Sequence, residues 1–208
     1  MTTIEAGVQD QGLRGAKPWK WPILAASPLV VVLSYFGMPA YVELADEVGY
    51  MLRVTARLAF ALLMLAYLAR PLQRGFGIGR TLVLHRRHLG LAMAFAHTVH
   101  FGYVVLLVQN SAEPLGWITI VGGGLAFVLM WLMAATSNDR SVALLGKNWR
   151  RLHTFGLHYL WLIFMQSFAG RIGSEDEYYL YAGLTIVGLL GLLLRVWVYL
   201  SGRLRRTT

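Results

Sequence analysis

The chain has 208 residues, of which 57% are hydrophobic and only 14% are charged, whereas soluble domains have about 25% charged residues. This composition argues against a soluble globular protein and favours an integral membrane protein. The net charge of +9 does not indicate a nucleic-acid partner, because Lys and Arg lie in short blocks between apolar segments. The absence of cysteine excludes disulfides, thiolate metal sites and thioether-attached haem.

Six apolar runs follow one another along the chain, each long enough to cross a hydrocarbon core of about 30 Å. They cover residues 21–41, 48–69, 88–108, 116–135, 153–170 and 178–200. We therefore predict an all-α integral membrane protein, a six-transmembrane-helix bundle occupying residues 21–200. Residues 1–20 would form a cytoplasmic N-terminal segment, and residues 201–208 a basic cytoplasmic tail.

The connections between the runs alternate in charge. Basic residues at one set of ends are Arg14, Lys17, Lys20, Arg70, Arg74, Arg80, Arg86, Arg87, Arg140, Lys147, Arg150, Arg151, Arg203, Arg205 and Arg206. Acidic residues at the opposite ends are Glu43, Asp46, Glu47, Glu113, Glu175, Asp176 and Glu177, with Arg53, Arg57 and Arg171 as the basic residues near them. By the positive-inside rule, both termini are predicted to be cytoplasmic.

All six histidines lie in or at the third and fifth runs: His85, His88, His97, His100, His153 and His158. An imidazole in hydrocarbon is costly unless it has a binding role, so ionisable residues inside a membrane are functional candidates. Histidines on two neighbouring helices suit bis-imidazole ligation of haem iron, one axial ligand from each helix. The structural alternative is that they only form hydrogen bonds between helices.

The depth of each histidine limits which residues could share one haem. With a rise of about 1.5 Å per residue from the basic end of each run, His88 matches His153 in depth. By the same measure His100 matches Gln166. The sequence is compatible with one haem or two.

Other pairings depend on helix orientation. His97 could pair with His158 if the helices tilt. His97 and His100 are three residues apart and share a helix face, so only one of them is expected to point at any one iron. For His85 and His88, beside basic residues at the membrane surface, solvated interfacial positions are the alternative to ligation.

Two motifs carry a resemblance to a known family. They are Arg86-Arg87-x-Leu89-Gly90-Leu91 followed by His100, and Leu145-Gly146-Lys147-x-Trp149-x-x-Leu152-His153, with Arg70-Pro71 at the end of the second run. From the second run to the fifth, the chain resembles the ferric reductase-like transmembrane proteins. It is most similar to their short six-helix, haem-binding members that serve a periplasmic methionine sulfoxide reductase.

The resemblance implies one or two b-type haems in a protein of the bacterial inner membrane that passes electrons across the lipid bilayer. His100 and His153 match haem-ligand positions of the family. Gln166 stands where family members have a second histidine on the fifth run, thirteen residues after the first. An outer haem would therefore use His158, an unusual ligand, or a rearranged pairing through His97.

The electron donor is expected to be a separate molecule, because the chain has no Gly-rich dinucleotide fingerprint and no soluble flavin domain. We expect a cytoplasmic flavin reductase or a membrane quinol as donor and a periplasmic protein as acceptor, with FMN or quinone as an additional cofactor. Five basic residues could hold haem propionates or dock an anionic donor: Arg86, Arg87, Lys147, Arg150 and Arg151. The alternative is that the positive-inside rule alone accounts for basic residues at these positions.

Arg53 and Arg57 depart from the charge rule and lie four residues apart on one helical face. They are expected to pair with an outer propionate or, as local interfacial salt bridges, with Glu43, Asp46 or Glu47.

Two further functions stay open at this point. The chain could be a non-catalytic scaffold subunit of a redox complex without its own haem. It could also be a transporter or proton channel with histidine relays, although the spans lack paired acidic residues. The Gly122-Gly123-Gly124 run fits close helix packing as well as a broken transport helix.

Overall fold

The computed structural model describes residues 20–40, 43–110, 116–117, 119–173 and 177–207, with side chains in the last helix up to Gly202. The predicted N-terminal segment and basic tail therefore lie almost entirely outside the described residues. The described part is helical: α1 Lys20–Phe36, α2 Leu44–Phe76, α3 Arg80–Asn110, a π-helical turn Thr119–Gly123, α4 Gly124–Ala135, α5 Asp139–Leu145, α6 Lys147–Ala169 and α7 Tyr178–Thr207.

Three of these helices, α2, α3 and α7, are long and apolar enough to cross a membrane. A fourth span results if the π-helical turn and α4 are taken together with α5, which is bent away by 104°. Helix α1 is apolar but has only 17 residues. Helix α6 has 23 residues, and its basic and histidine side chains lower its hydropathy. The all-α, multi-pass membrane architecture is confirmed, whereas the six spans remain a prediction.

The helices extend beyond the predicted apolar runs. Helix α2 continues through a buried Pro71 to Phe76, and α3 begins only a few residues later. The tight connection contains Gly77 and Gly79 at φ values of 74° and 86°, a region that side chains with a Cβ rarely occupy. The apolar runs thus predict the membrane-embedded part of each helix but not its ends.

Five helices close a ring in the order α2, α3, α4, α6, α7, with α7 packing back against α2. The contact between α2 and α3 is the most extensive, and α1 lies outside the ring against α3 and α2. Helices α3 and α6 are not close-packed neighbours, although His97 of α3 contacts Phe164 of α6 with ring centroids 5.5 Å apart. The space between these two histidine-bearing helices is where the candidate site lies.

Methionine side chains fill the crossings where glycine leaves room. Met165 lies against Gly188 and Met64 against Gly191, so that a Cβ on either glycine would collide with the thioether. At Gly156 an added Cβ would lie 2.7 Å from Met133 Sδ. Because protein interiors are close-packed, these pairs fix the distances of α7 from α2 and α6, and of α4 from α6.

Candidate functional site

The first of two cavities between α3 and α6 has a volume of about 540 Å³. We call it the basic cavity. It receives His88 from α3 and His153 from α6, the pair that depth along the helices places together. Six cationic side chains line it: Lys20, Arg70, Arg86, Arg87, Arg150 and Arg195. None of the described residues that line it is acidic.

His153 is held by contacts from the end of α4. Its Nε2 lies 3.1 Å from Thr136 Oγ1, and that hydroxyl lies 2.6 Å from Leu132 O. The hydroxyl therefore donates to Leu132 and accepts from His153 Nε2–H. Trp149 stacks on the imidazole with ring centroids 4.0 Å apart and donates from Nε1 to Thr136 O at 2.9 Å. Binding a metal through His153 Nε2 would replace the Thr136 contact.

His88 presents a buried Nδ1 that has no hydrogen-bond partner among the described residues. Such an orphaned polar atom is costly unless something binds it. His85, one turn earlier, is only 3% exposed, and its Nδ1–H donates to Thr81 O at 2.8 Å. The interpretation of His85 as a solvated interfacial residue is therefore wrong, because α3 begins early enough to bury it.

Two of the cationic groups are anchored to carbonyls of α2. Arg86 Nε donates to Ala66 O at 3.0 Å, and Arg195 Nη1 donates to Tyr67 O at 2.9 Å. The Arg195 guanidinium also lies 4.4 Å from the centroid of the Tyr67 ring. Arg87 is paired with Asp139, but no acidic residue lines the described part of the cavity itself. Positive groups gathered in a partly buried cavity of this kind favour an anionic occupant.

The second cavity, which we call the apolar cavity, has a volume of about 760 Å³ and mostly hydrophobic walls. His97 and His100 from α3 line it, and α6 contributes Gln166 at the depth of His100. Its cationic lining residues are Arg53, Arg57 and Arg171. The two cavities thus lie at successive depths along α3 and α6, with histidine in each.

His100 is oriented by α2. Its Nδ1 lies 3.1 Å from Thr55 Oγ1 and 3.2 Å from Leu52 O. The Thr55 hydroxyl lies 2.6 Å from Met51 O and donates there, so His100 Nδ1–H is the donor in both of its own contacts. Its Nε2 consequently carries the free lone pair, which is how metal-binding histidines are usually prepared.

His97 lies beside His100 with its ring stacked at 5.3 Å and inclined by only 11°. Its Nδ1 is buried and has no hydrogen-bond partner within the described part of the chain. The predicted site residues are therefore divided: His97 and His100 line one cavity and His153 the other.

His158 lines neither cavity. Its Nδ1–H donates to Thr154 O at 2.7 Å, and its ring meets Tyr67 edge-on at 5.6 Å. Five residues advance a helix by about 140° beyond one full turn, so His158 points away from the face that carries His153. The structure does not bring His97 and His158 together.

The glycine run of the fourth predicted span forms the π-helical turn and the start of α4. Tyr159 donates its hydroxyl to Gly122 O at 3.2 Å, and a Cβ on Gly122 would lie 3.4 Å from Ile163. Gly123 and Gly124 line the apolar cavity, and a Cβ on either would meet nothing within 4 Å. One glycine thus packs against α6, and two leave the cavity wall open. Single-turn π-helical insertions are frequent at functional sites.

Arg57 forms a salt bridge with Glu177, at the start of α7. The prediction that it pairs with Glu43, Asp46 or Glu47 is therefore wrong, because the fold brings a distant connection closer than the local one. Burial raises the pKa of Glu177, but the hydrogen bonds of its carboxylate with Arg57 and Tyr181 and the positive charges of Arg57 and Arg53 outweigh this and leave the pKa below its usual value.

Sequence reasoning missed Arg195, which lies inside the sixth predicted apolar run. A charged residue within such a run is itself a signal of a functional position.

The residues of both cavities fit haem. Each volume lies within the range of about 300–1,000 Å³ usual for ligand pockets. The basic cavity offers imidazoles from two helices. The apolar cavity offers the imidazole of His100, whose Nδ1–H already donates a hydrogen bond. Both cavities have cationic groups that suit propionates. Gly90 and Gly123 line the two cavities without a Cβ to fill them.

Comparison with known proteins agrees with this chemistry. The chain is 28% identical over 193 residues to the magnetosome protein MamZ of Paramagnetospirillum magneticum, covering 86% of this chain and 30% of that protein. It is 33% identical over 171 residues to the protein-methionine-sulfoxide reductase heme-binding subunit MsrQ of Ralstonia nicotianae, covering 74% of this chain and 73% of that protein. No protein-family model and no solved structure matches the chain.

The apolar helices and the similarity to MsrQ and MamZ define a haem-binding, electron-transporting membrane protein. The similarity to MsrQ identifies the branch within this class. The chain belongs to the family of heme-binding subunits of protein-methionine-sulfoxide reductases, which confirms the resemblance carried by its two motifs.

Proposed function

We propose that this protein holds a haem b in each cavity and passes electrons across the bacterial inner membrane to a periplasmic protein. The observation that supports this most directly is the gap between α3 and α6, which has histidine at two depths. A chain of two one-electron centres at different depths suits transfer across a bilayer better than a single site would. MsrQ, by its name, is the haem-binding subunit of a reductase system, and we extend that role to this chain.

In the basic cavity, His88 and His153 would bind haem from opposite helices. In the apolar cavity, His100 would be the ligand, with His97 stacked beside it. Haem supplies one-electron iron chemistry when bound. Geometry supports no ligand role for His158, which faces Tyr67 outside both cavities.

The cationic residues have a different task. Arg86 and Arg195, fixed to carbonyls of α2, would hold propionates in the basic cavity and keep the charged end of the cofactor at one depth. Arg53 and Arg171 would do the same in the apolar cavity. Arg57, already paired with Glu177, is neutralised within the protein.

We infer the orientation of the bundle in the membrane from the distribution of its basic residues. The basic cavity lies near the connections rich in arginine, and the positive-inside rule places these in the cytoplasm together with both termini of a six-helix bundle. Electrons would therefore come to the basic cavity from a cytoplasmic flavin reductase or a membrane quinol. FMN or quinone, as an additional cofactor, would bind on that side.

The experiment that tests the proposal is the visible spectrum of the detergent-purified protein, oxidised and dithionite-reduced, with a pyridine haemochrome count per chain. We expect sharp reduced bands of haem b and two haems per chain. His153→Ala should lower the count by one, because the basic cavity loses one of its two ligands. His158→Ala is the matched control on the same helix and should keep both haems. A protein that stays colourless when haem is supplied would overturn the proposal and favour a scaffold subunit.

A further inference from the structure

The two cavities differ in how many helices supply imidazole. The basic cavity has His88 from α3 and His153 from α6, whereas both histidines of the apolar cavity, His97 and His100, come from α3. Six-coordinate haem needs ligands on opposite faces of the macrocycle. The apolar cavity therefore lacks an imidazole from the opposite helix.

His97 and His100 cannot themselves form a facing pair. Their rings are nearly parallel, inclined by 11°, and stack with centroids 5.3 Å apart. Rings stacked side by side on one helix direct their nitrogens toward the same side of the cavity. Two axial ligands of one iron must instead point toward each other from opposite sides.

The facing wall offers no strong replacement among the described residues. From α6 the polar side chains that line the cavity are Gln166 and Ser167. Their oxygens are hard ligands, which bind iron of a haem poorly compared with imidazole. Tyr181 of α7 also lines the cavity, but its hydroxyl is engaged, because it accepts a hydrogen bond from Arg171 at 3.3 Å. The arginines of the cavity cannot ligate a metal, because a guanidinium group has no acceptor atom.

The wall around this position is open and apolar. Gly123 and Gly124 present no side chain to the cavity, and Phe127, Leu160 and Ile163 surround it with hydrocarbon. A largely apolar wall beside an amide group suits a small neutral molecule at this position. The Gln166 amide could donate a hydrogen bond to such a molecule.

We propose, building on the function above, that the haem in the apolar cavity is bound through His100 alone and offers its other face to a small neutral ligand such as a diatomic gas. The structural basis is the juxtaposition of two α3 imidazoles with Gln166 of α6. The basic-cavity haem, with an imidazole from each helix, would be closed to the same ligand.

The test is carbon monoxide binding to the dithionite-reduced, two-haem protein, together with the spin state of the oxidised protein by electron paramagnetic resonance. We expect half of the haem to shift its Soret band under carbon monoxide and half of the ferric haem to be high-spin. Gln166→His should supply the missing imidazole, abolish the carbon monoxide shift and make all haem low-spin, with the haem count unchanged.

Gln109→His is the matched control. It introduces the same side chain into the same cavity, but from α3, the helix that already carries His100. This variant should keep the wild-type carbon monoxide response.

The possible outcomes separate this inference from the function on which it rests. Two haems that are both low-spin and unaffected by carbon monoxide would overturn the open site and leave electron transfer intact. One haem per chain, or a carbon monoxide shift that survives in Gln166→His, would also overturn it. Absence of any haem would overturn the proposed function itself.

Discussion

Two threonines hold the imidazoles of this protein, and each comes from a different helix than the histidine. Thr55 of α2 fixes His100, and Thr136 at the end of α4 fixes His153. Thr55 contacts His100 Nδ1 and leaves Nε2 free, and partners of this kind set the tautomer and orientation of a metal-binding ring. Thr136 contacts His153 Nε2 itself, so it holds the ring only while Nε2 binds no metal. The geometry of the cavities therefore depends on α2 and α4 as well as on the helices that carry histidine.

Replacing Thr55 with Val removes the hydroxyl and keeps the shape of the side chain. His100 would retain its contact with Leu52 O but lose the second contact that fixes the ring. We expect haem affinity of the apolar cavity to fall about tenfold, the lower end of the effect usual for such partners. Titration of the haem-free protein with haem measures this.

Thr98→Val is the matched control on α3, because the Thr98 hydroxyl donates to Ala94 O of its own helix at 2.7 Å and lines neither cavity. It should leave the affinity unchanged. Equal affinities of Thr55→Val and the wild-type protein would show that Thr55 does not position His100.

Depth along a helix could be predicted from the sequence, but rotation about the helix axis and the partners of a side chain could not. Counting residues placed His88 with His153 and His100 with Gln166, and each pair lines one cavity. Which way His158 faces depends on how α6 packs, so depth alone left it as a ligand candidate. Thr55 could not be recognised at all, because its role comes from a contact between residues 45 positions apart.

At the scale of helices, two salt bridges join elements that are distant in the sequence. Arg57 of α2 reaches Glu177 at the start of α7, and Arg87 of α3 reaches Asp139 at the start of α5. The hydrogen bond from Arg87 lowers the pKa of the Asp139 carboxyl. The Arg57–Glu177 pair is the better protected, with side chains 29% and 31% exposed.

The stability of the protein should depend on pH through Glu177. Because Arg57 leaves the Glu177 pKa below its ordinary value of 4.5, the pair stabilises the folded state above that value and is lost as pH falls below it. We expect Glu177→Gln to lower the stability near pH 7 by about 1 kcal/mol or less, as for partly exposed pairs. Thermal unfolding in detergent between pH 7 and pH 3 measures this.

Glu43→Gln is a suitable control, since no salt bridge of Glu43 exists among the described residues. It should unfold with the wild-type pH dependence, whereas the profile of Glu177→Gln should be flatter below pH 5. A Glu177→Gln profile as steep as that of the wild-type protein would contradict the role of this pair.

Hydropathy predicts where the apolar part of a helix lies, but it does not predict where the helix begins or ends. The apolar runs identified α2, α3 and α7, but their ends extend into polar sequence that hydropathy cannot describe. The π-helical turn was not predicted, because such a turn depends on where Tyr159 and Ile163 of α6 meet the glycine run.

For the whole molecule, the main feature is the ring of five helices with a gap between α3 and α6. Composition alone was sufficient to predict a membrane bundle, because the bilayer requires long apolar helices. The number of spans could not be settled in the same way, since α6 carries histidine and arginine for its site and α1 is short. A site inside a membrane thus obscures the hydropathy signal of the helix that carries it.

The orientation can be tested by thiol labelling, because the chain contains no cysteine. We expect a single cysteine at Glu43 to react with a membrane-impermeant maleimide in intact spheroplasts. A single cysteine at Arg80, exposed at the start of α3, should react only after the membrane is opened.

Both variants should first be shown to react equally in detergent. Labelling of the Arg80→Cys protein in intact spheroplasts, with protection of Glu43→Cys, would reverse the proposed direction of the bundle.

The contacts between methionine and glycine at the helix crossings make the protein sensitive to oxidants. Oxidation of Met165 or Met64 to the sulfoxide would add a polar oxygen at its contact with Gly188 or Gly191, respectively. These contacts are so close that even a Cβ on the glycine would collide with the thioether. Both thioethers are buried, so the lesion would form when the helices separate, during synthesis or refolding. Such damage would prevent α7 from docking, and the protein would be most vulnerable before its assembly is complete.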